Sequence, residues 1–332
     1  MSAGIISAIG STPLVRLSRI FPGDELTVWG KLEALNPGGS MKDRPAIRIL
    51  SEAMKAGEIS SETTVIESSS GNMGIGLAQA CAFLGIKFIC VVDPKTTAQN
   101  VRLLKAYGAH VDEVTEPDPL TGEFLQARLN RVRELLTLTR CGFWPNQYAN
   151  PNNAVAHYET MREIAIALAD KVDFLFCATS TCGTLRGCAE YVRESGLETN
   201  IVAVDAVGSV IFGGERARRL VPGHGAAVRP ALFSADLADQ CVHIADIECI
   251  TGCRRLARRE AILAGGSSGA VIMAIDRLRP TLPKGAVCVA ILADRGERYL
   301  DTIYSDEWVE EHFGNVSHLW EETEETACMM AH

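Results

Sequence analysis

The stretch Asn36-Pro37-Gly38-Gly39-Ser40-Met41-Lys42-Asp43-Arg44-Pro45 places one lysine between a Pro/Gly turn and the start of a helix. Proline suits the first turn of a helix because its missing N–H would have no partner there. Ser40 or Asp43 can cap the N–H groups that follow. A lysine fixed at such a point and partly removed from water can form an imine, but most lysines beside a turn are simply solvated. The turn on its own therefore favours a surface lysine.

The next segment makes Lys42 a candidate for catalysis. Residues 63–67 form a short β-branched run that predicts a strand, and Ser68-Ser69-Ser70-Gly71-Asn72-Met73-Gly74 follows it directly. An apolar-periodic helix then extends through Leu84. A strand, a polar glycine loop and a helix start, in this order, form an arrangement that binds anions.

A second strand-loop-helix unit supplies another candidate anion site. The apolar run Phe174-Leu175-Phe176-Cys177-Ala178 is followed by Thr179-Ser180-Thr181-Cys182-Gly183-Thr184 and then by a helix. Backbone N–H groups and hydroxyls at such a helix start can surround a phosphate. Helix starts rich in Ser and Thr are often plain caps, so this loop alone leaves phosphate binding and simple capping equally open.

Composition excludes several classes of function. The chain has 332 residues, is 47% hydrophobic and carries a formal net charge of −9, with no run of Lys and Arg. It is therefore large enough for two lobes and poorly suited to nucleic acid or anionic membranes. No apolar run approaches membrane-spanning length, and the first residues lack the pattern of a signal peptide. We therefore expect a cytoplasmic location.

The cysteines and histidines do not predict a metal site. The chain has 11 cysteines, an odd number, and Cys81, Cys90, Cys177 and Cys288 lie in apolar runs. This pattern is typical of small buried hydrophobes in a reducing compartment. No cysteine spacing is zinc-like and no His-x-x-x-His pair occurs, so no metal is predicted.

Apolar strands that alternate with helices predict parallel sheets covered on both faces, with ligands at the carboxyl ends of the strands. The predicted strands span residues 26–33, 64–67, 86–92, 172–178, 201–206 and 286–292. Beyond the helix that ends at Leu84, further predicted helices end at Tyr107 or span residues 123–138, 153–169, 183–194, 251–263 and 268–278. No Gly/Ser-rich or Pro-rich linker separates the halves, so we expect two sheets that share a cleft.

Ordered motifs make the chain resemble the fold-type II pyridoxal-phosphate enzymes of the cysteine synthase and cystathionine β-synthase family. The resemblance covers almost the whole chain, from Gly10-Ser11-Thr12-Pro13-Leu14-Val15-Arg16-Leu17 to Gly296-Glu297-Arg298-Tyr299-Leu300. Between these motifs lie the lysine turn, the Ser69 to Gly74 loop, Asn146-Gln147-Tyr148-Ala149-Asn150-Pro151, the Thr181 to Thr184 loop and Gly265-Gly266-Ser267-Ser268-Gly269.

The resemblance implies a fold and a division into lobes. The fold would be the tryptophan synthase β-like α/β fold, with two three-layer α/β/α lobes, mostly parallel sheets and the active site in the cleft between them. Residues 1–40 and 147–313 would form the larger lobe, which binds the cofactor phosphate. Residues 41–146 would form the smaller, mobile lobe that closes on the substrate carboxylate, and the acidic segment 314–332 would be a frayed tail. A homodimer is also implied.

The resemblance further implies roles for individual residues. Lys42 would hold pyridoxal 5′-phosphate as a Schiff base, and Asn72 would contact the ring hydroxyl. The cofactor phosphate would lie in a cradle made of Ser180, Thr181, Cys182, Gly183 and Thr184, and Ser268 would also contact the cofactor. The substrate would be bound by Ser69, Ser70, Gly71, Met73 and Gln147. Apart from the resemblance, an anionic substrate needs compensating partners, and Arg128 and Tyr148 are candidates for them. The cluster Arg216, Arg218 and Arg219 is an alternative partner for a phosphate leaving group.

One position departs from the family pattern. A serine normally precedes the Gly-Glu-Arg-Tyr-Leu-like motif and faces the pyridine nitrogen, whereas Arg295 stands here after Asp294. Arg295 at the nitrogen would leave it unprotonated, because arginine cannot readily accept the ring proton. Asp294 at the nitrogen would instead stabilise a protonated ring. The alternative is that Arg295 turns to solvent, as most arginines do.

Within the family, the segments Ser40 to Pro45, Ser68 to Met73 and Ala293 to Gly296 resemble a branch that serves biosynthesis of the siderophore staphyloferrin B. This implies a β-replacement in which the amine of L-glutamate displaces the phosphate of O-phospho-L-serine, on the way to 2,3-diaminopropionate. The alternatives are a cysteine synthase that uses sulfide with O-acetylserine or O-phosphoserine, and a catalytically silent regulatory module. Lys42, Asn72 and the hydroxyl cradle argue against the silent module, but spacing fixes neither donor nor nucleophile.

Overall fold

A computed structural model of the chain describes residues 4–320, whose strands form two sheets. The larger sheet has the strand order β1-β2-β10-β7-β8-β9 and the smaller one the order β5-β4-β3-β6. The larger sheet contains β1 (Leu14–Arg16), β2 (Leu26–Leu32), β7 (Phe174–Ala178), β8 (Asn200–Ala206), β9 (Gln240–Ile244) and β10 (Ala286–Leu292). The smaller sheet contains β3 (Thr64–Ser68), β4 (Lys87–Val92), β5 (His110–Glu113) and β6 (Gly142–Phe143). Within these residues, all strand pairs are parallel except β1 with β2.

Helices cover both faces of each sheet. They are α1 (Asp43–Lys55), α2 (Asn72–Leu84), α3 (Ala98–Ala106), α4 (Phe124–Leu138), α5 (Pro151–Ala167), α6 (Gly183–Glu194), α7 (Asp246–Glu260), α8 (Gly266–Leu278) and α9 (Asp306–Phe313). On the larger sheet, Phe174 and Phe176 pack with the core of α7 and α8, whereas Leu175 and Cys177 pack with that of α5 and α6. On the smaller sheet, α1, α2 and α3 share one core and α4 packs on the opposite face. This confirms the predicted fold class, because alternate strand residues bury opposite faces.

The two sheets divide the chain in a simple way. Every strand of the smaller sheet lies between residues 64 and 143, and every strand of the larger sheet lies outside that span. The segment after α9 packs against the larger lobe: Trp320 is buried, the guanidinium of Arg254 lies 4.6 Å from the centre of its ring, and its carbonyl accepts a hydrogen bond from Arg258. The predicted fraying therefore does not extend to residues 314–320, and the acidic run 321–325 lies outside the described residues.

Several predicted features are confirmed. The strand 286–292 and the helix 183–194 have the predicted bounds, and Cys81, Cys90, Cys177 and Cys288 are buried with free thiols. Within residues 4–320, no helix is both long and apolar enough to cross a membrane.

Candidate active site

Lys42 occupies the junction between the end of β10 and the start of α1. The backbone N–H of Met41 donates to the carbonyl of Ala293 at 2.8 Å, and the N–H of Arg295 donates to the carbonyl of Gly39 at 3.1 Å. The turn that carries Lys42 is therefore hydrogen-bonded to the segment that leaves the carboxyl end of a central strand. Parallel α/β sheets bind ligands at this edge.

The predicted capping roles of Ser40 and Asp43 are wrong in detail. Ser40 Oγ accepts a hydrogen bond from the N–H of Lys42 at 3.2 Å, and the Asp43 carboxylate accepts one from the N–H of Gly38 at 2.5 Å. Neither side chain caps a later N–H of α1, because α1 begins at Asp43 itself and has no side-chain cap. The acid instead closes the turn that precedes the lysine, and its burial raises its pKa to about 7.

The environment of Lys42 makes its ammonium group easier to deprotonate than that of an ordinary lysine. Burial lowers the pKa of Lys42 to about 8, against the opposing effects of Asp294 and Cys182. Within residues 4–320, its ammonium group forms no hydrogen bond or ion pair. A lysine whose amine is largely unpaired and partly desolvated is suited to nucleophilic attack on a carbonyl.

A buried ion cluster fixes the helix that follows Lys42. Arg44 donates to both oxygens of Glu33 at 2.7 Å and to both oxygens of Glu163 at 2.7 and 2.8 Å. Lys31 donates to Glu163 at 2.6 Å. Burial of Glu163 opposes ionisation, but the hydrogen bonds from Arg44 and Lys31 outweigh it and lower the pKa of Glu163 to about 2. Strand β2 and helix α5 thereby hold the first turn of α1 in place.

The loop between β3 and α2 faces the same junction. Asn72 is the first residue of α2, and its side chain donates to Asp294 Oδ2 at 2.7 Å. Ser69 Oγ accepts from the N–H of Gly74 at 2.9 Å, so this side chain organises the loop. The side chain of Ser70 is partly exposed, and the loop leaves Gly71 partly exposed.

Met73, predicted to belong to the substrate loop, turns its side chain away from the cleft. Its side chain is buried in the core that α1, α2 and α3 form on the smaller sheet. Met73 is the second residue of α2 and packs in one core with residues of β3 and β4. Only the backbone of Met73 is left to contact a substrate.

Gln147 lies opposite this loop, as predicted. Its Nε2 donates to the carbonyl of Ser68 at 3.3 Å, and its backbone N–H donates to Glu67 Oε2 at 3.2 Å. Glu67 also accepts hydrogen bonds from the N–H of Ser68 and from Trp144 Nε1, and its burial raises its pKa to about 7. Glu67 therefore connects the loop after β3 to the turn at residues 147–149, here called the Gln147 turn.

Arg128 and Tyr148 lie near this carboxylate. Arg128, on α4, is buried and its Nε lies 3.1 Å from Asp93 Oδ2. Burial raises the pKa of the Tyr148 hydroxyl, as it does that of Glu67. The positive charge of Arg128 opposes both increases. The structure thus groups Arg128 and Tyr148 with Glu67.

The alternative arginine cluster is dispersed. Arg216 forms an ion pair with Glu123, Arg218 is exposed, and Arg219 donates to the carbonyl of His224 at 2.9 Å. These three side chains therefore do not converge on one ligand.

The loop after β7 forms a cradle of unpaired donors. The helix α6 begins at Gly183, and Cys182 before it adopts the left-handed conformation with φ 62°. Within the described part of the chain, the N–H groups of Cys182 and Thr184 and the hydroxyls of Ser180 and Thr184 have no hydrogen-bond partner. Such a group of N–H and O–H donors at a helix N-terminus matches a phosphate.

Asn153, which sequence reasoning missed, connects this cradle to the Gln147 turn. Its Nδ2 donates to the carbonyl of Gln147 at 2.7 Å and to Thr181 Oγ1 at 3.2 Å. A Cβ at position 183 would lie only 2.3 Å from Asn153 Oδ1, so glycine is required there by Asn153. Helix α6 also approaches α5 closely through Gly187, where a Cβ would lie 2.0 Å from the carbonyl oxygen of Ala154.

The structure separates Asp294 from Arg295. Asp294 is buried beside Lys42 and accepts hydrogen bonds on Oδ2 from Asn72 and from Tyr299 at 2.6 Å. Arg295 is exposed, and its Nε donates to the carbonyl of Ala34 at 2.9 Å. Of the alternatives that the sequence left open, the structure has the one in which Arg295 turns to solvent, so its place among the cofactor-binding residues is not supported. Ser268 is buried nearby and its Oγ accepts from the N–H of Ala293 at 2.9 Å, which leaves its proton free to be donated.

Together these groups fit pyridoxal phosphate. The cradle offers donors to a dianionic phosphate, the unpaired amine of Lys42 can bind an aldehyde, and Asn72 and Ser268 carry N–H and O–H groups for the ring oxygen and nitrogen. Lys42, Asn72 and the cradle are identified in the sequence by the family resemblance, since their local patterns alone leave other interpretations open. Arg44, Glu163 and Asn153 gave no sequence signal, because their partners are distant in the chain.

Comparison with known proteins agrees with this site. Residues 5–294 match the family described as "Pyridoxal-phosphate dependent enzyme". An N-(2-amino-2-carboxyethyl)-L-glutamate synthase of Ralstonia nicotianae is 45% identical over 310 residues, which are 93% of this chain and 91% of that protein. A solved O-acetylserine dependent cystathionine β-synthase of Helicobacter pylori has a TM-score of 0.85 and 31% identity, over 92% of this chain and 99% of that one. A solved cysteine synthase of Entamoeba histolytica has a TM-score of 0.86 and 28% identity, over 97% of this chain and 96% of that one. The chain therefore belongs to the pyridoxal-phosphate dependent enzyme family and takes pyridoxal phosphate as its cofactor.

Proposed function

We propose that the protein catalyses β-replacement of the phosphate of O-phospho-L-serine by the amine of L-glutamate, which gives N-(2-amino-2-carboxyethyl)-L-glutamate and phosphate. The observation that carries this proposal is the 45% identity, over 93% of the chain, to a synthase of that product. The arrangement of Lys42, Asn72 and the donor cradle supports it, since these groups suit any β-replacement in this family. A cysteine synthase is the alternative, favoured only by the solved structures of similar fold.

The chemistry divides between the cofactor and the chain. When bound, pyridoxal phosphate supplies the electron sink that stabilises negative charge at Cα while the β-substituent leaves. Lys42 would hold the cofactor and, once displaced by substrate, remove the Cα proton. Its lowered pKa of about 8 suits that role, because a base must be neutral to accept a proton near neutral pH. The N–H and O–H groups of residues 180–184 would hold the phosphate of the cofactor.

The smaller lobe would bind the substrate. The hydroxyl of Ser70 and the backbone of Gly71 and Met73 would hold the substrate carboxylate, together with the amide of Gln147, which is hydrogen-bonded to the carbonyl of Ser68. Ser69 would keep the loop in shape through its hydrogen bond to Gly74. Arg128 and Tyr148 are the proposed partners of the additional negative charge that phosphoserine and glutamate bring to the cleft.

Donor choice gives a direct test of Arg128. Near neutral pH the phosphate ester carries charge that an acetyl ester lacks, and hydrogen bonds to charged groups are worth roughly 1.5–3 kcal/mol. Arg128→Met should therefore lower kcat/KM for O-phospho-L-serine roughly tenfold or more, and lower that for O-acetyl-L-serine much less. Arg131→Met is the matched control, because Arg131 lies on the same helix and pairs with Asp112 and Glu134. Equal losses with both donors would remove Arg128 from the phosphate subsite.

We further propose that the product enters siderophore biosynthesis by way of 2,3-diaminopropionate, as in the staphyloferrin B branch that the motifs resemble. The enzyme would act in the cytoplasm as a homodimer on small amino acids, without nucleic-acid or membrane partners. Sedimentation of the holoenzyme tests the oligomeric state, and a monomer at working concentrations would contradict the homodimer.

A further inference from the structure

A line of hydrogen bonds crosses between the lobes beside Lys42. Arg298 donates to the side-chain carbonyl of Asn72 and also to the backbone carbonyl of Gly38. Asn72 in turn donates through Nδ2 to Asp294 Oδ2, which also accepts from the Tyr299 hydroxyl. Asn72 belongs to the smaller sheet's helix α2, whereas Arg298 and Asp294 follow the last strand of the larger sheet.

This line of bonds fixes which way the Asn72 carboxamide faces. A guanidinium has donors only, so the atom of Asn72 that meets Arg298 must be the oxygen. Asp294 Oδ2 accepts, so the atom that meets it must be the amide nitrogen. Both partners therefore select the same orientation, and one N–H of the amide is left for a ligand.

Arg298 is itself largely removed from water. Its side chain is 9% exposed and lies against the turn before Lys42, where a Cβ at Gly39 would lie 2.9 Å from Arg298 Nη2. Gly39 has φ +84°, a backbone conformation that residues other than glycine rarely adopt. The turn that carries Lys42 is thus shaped to admit the guanidinium.

We propose that Arg298 is a positioning residue that keeps the N–H of Asn72, and not its carbonyl, facing the cofactor ring hydroxyl. The inference rests on the proposed contact between Asn72 and that hydroxyl. An N–H donor stabilises the ionised ring oxygen, whereas a carbonyl in its place would favour the protonated form. Arg298 would therefore set the ionisation of the bound cofactor without touching it.

The test compares Arg298→Gln with Arg298→Lys in the holoenzyme. Lysine is donor-only and keeps the amide orientation, whereas glutamine can donate or accept and allows the amide to turn over. The readout is the absorbance of the bound cofactor across pH, in which the ionised ring hydroxyl absorbs at longer wavelength than the protonated one. We expect Arg298→Gln to move absorbance toward the near-ultraviolet and Arg298→Lys to keep the wild-type spectrum. Arg254→Gln is the control, since Arg254 is similarly buried but bonds Ile303 and Asp306 and lies over the Trp320 ring, away from Asn72.

Two results would overturn the inference: a wild-type spectrum in Arg298→Gln, or equal shifts in the glutamine and lysine variants. Asn72→Ala tests separately the contact between Asn72 and the ring hydroxyl, on which the role of Arg298 depends. An unchanged spectrum in Asn72→Ala would remove Asn72 from the ring hydroxyl, whereas a shift there without one in Arg298→Gln would remove only Arg298. If Arg298→Gln does not fold, a crystal structure of the wild-type holoenzyme decides, and a guanidinium more than about 3.5 Å from Asn72 Oδ1 would contradict the proposal.

Discussion

At the scale of single residues, the chemistry depends on the amine of Lys42, whose pKa the fold lowers. Burial lowers the pKa of Lys42 to about 8, and Asp294 and Cys182 only partly oppose this effect. The same junction holds an acid, Asp43, whose pKa burial raises to about 7. Both shifts have the sign expected when charged groups are moved away from water.

The lowered pKa predicts how the apoenzyme takes up its cofactor. Only the neutral amine attacks an aldehyde, so the rate of linkage should rise as the pH increases and level off above about 8. Stopped-flow absorbance after mixing apoenzyme with pyridoxal phosphate measures this rate, and Lys42→Ala should show no covalent linkage and no β-elimination. A rate that keeps rising to about pH 10, as for an ordinary lysine, would contradict the assigned environment.

The ion cluster around Arg44 predicts a second pH effect. The pKa of Glu163 in the folded protein, about 2, lies below its ordinary value of 4.5. Its stabilisation is therefore complete above pH 4.5 and is lost as the pH falls toward 2. Glu163→Gln should lower the free energy of unfolding at neutral pH by roughly 2–4 kcal/mol and flatten its decline over that acidic range.

Denaturant titrations between neutral and acidic pH measure both parts of this prediction. Glu159→Gln is the control, because Glu159 forms an exposed ion pair with Arg162 on the same helix and should contribute little. A Glu163→Gln protein with wild-type stability at neutral pH would show that the cluster does not hold α1.

At the scale of elements, two close helix contacts place the phosphate cradle. Gly187 brings α6 against α5, and this contact sets Asn153 beside Gly183 and Thr181. The cradle and the Gln147 turn then share one side chain, so a change in one is expected to disturb the other.

Gly183→Ala tests this contact. The added Cβ would lie 2.3 Å from Asn153 Oδ1, so the loop must move and cofactor retention should weaken roughly tenfold or more. Adding Asn153→Ala removes the overlapping atom and should restore part of the affinity. Equilibrium dialysis of the apoenzyme with pyridoxal phosphate measures the dissociation constants, and wild-type retention in Gly183→Ala would refute the steric role of Asn153.

Element boundaries show what sequence patterns can and cannot give. The strand β10 was predicted with its observed bounds because Ala286–Leu292 is wholly apolar. The sequence pattern predicts the start of α7 five residues too late, at 251, because the polar residues Asp246 and Glu248 of its first turn interrupt the apolar periodicity. The sequence pattern does not predict the strands β1, β5, β6 and β9, which are short or carry polar residues, and it does not predict α9.

At the scale of the whole molecule, the two-sheet architecture and the order of the site motifs were predictable from alternating strands and glycine loops. The contacts that complete the site were not. Arg44 and Glu163 are 119 residues apart, and Arg298 and Asn72 are 226 apart, so no local pattern reports either pair. The sequence likewise does not show that Asp294 faces inward and Arg295 faces the surface. The direction of each side chain depends on the path of the backbone in this short segment.

The proposed reaction predicts a preference that one competition experiment measures. The purified holoenzyme is given O-phospho-L-serine and O-acetyl-L-serine at equal concentration, together with equal L-glutamate and sulfide, and the products are quantified by mass spectrometry. We expect N-(2-amino-2-carboxyethyl)-L-glutamate as the main product, with release of phosphate matching its formation. Cysteine as the main product, without the glutamate adduct, would contradict the proposed function and establish a cysteine synthase instead.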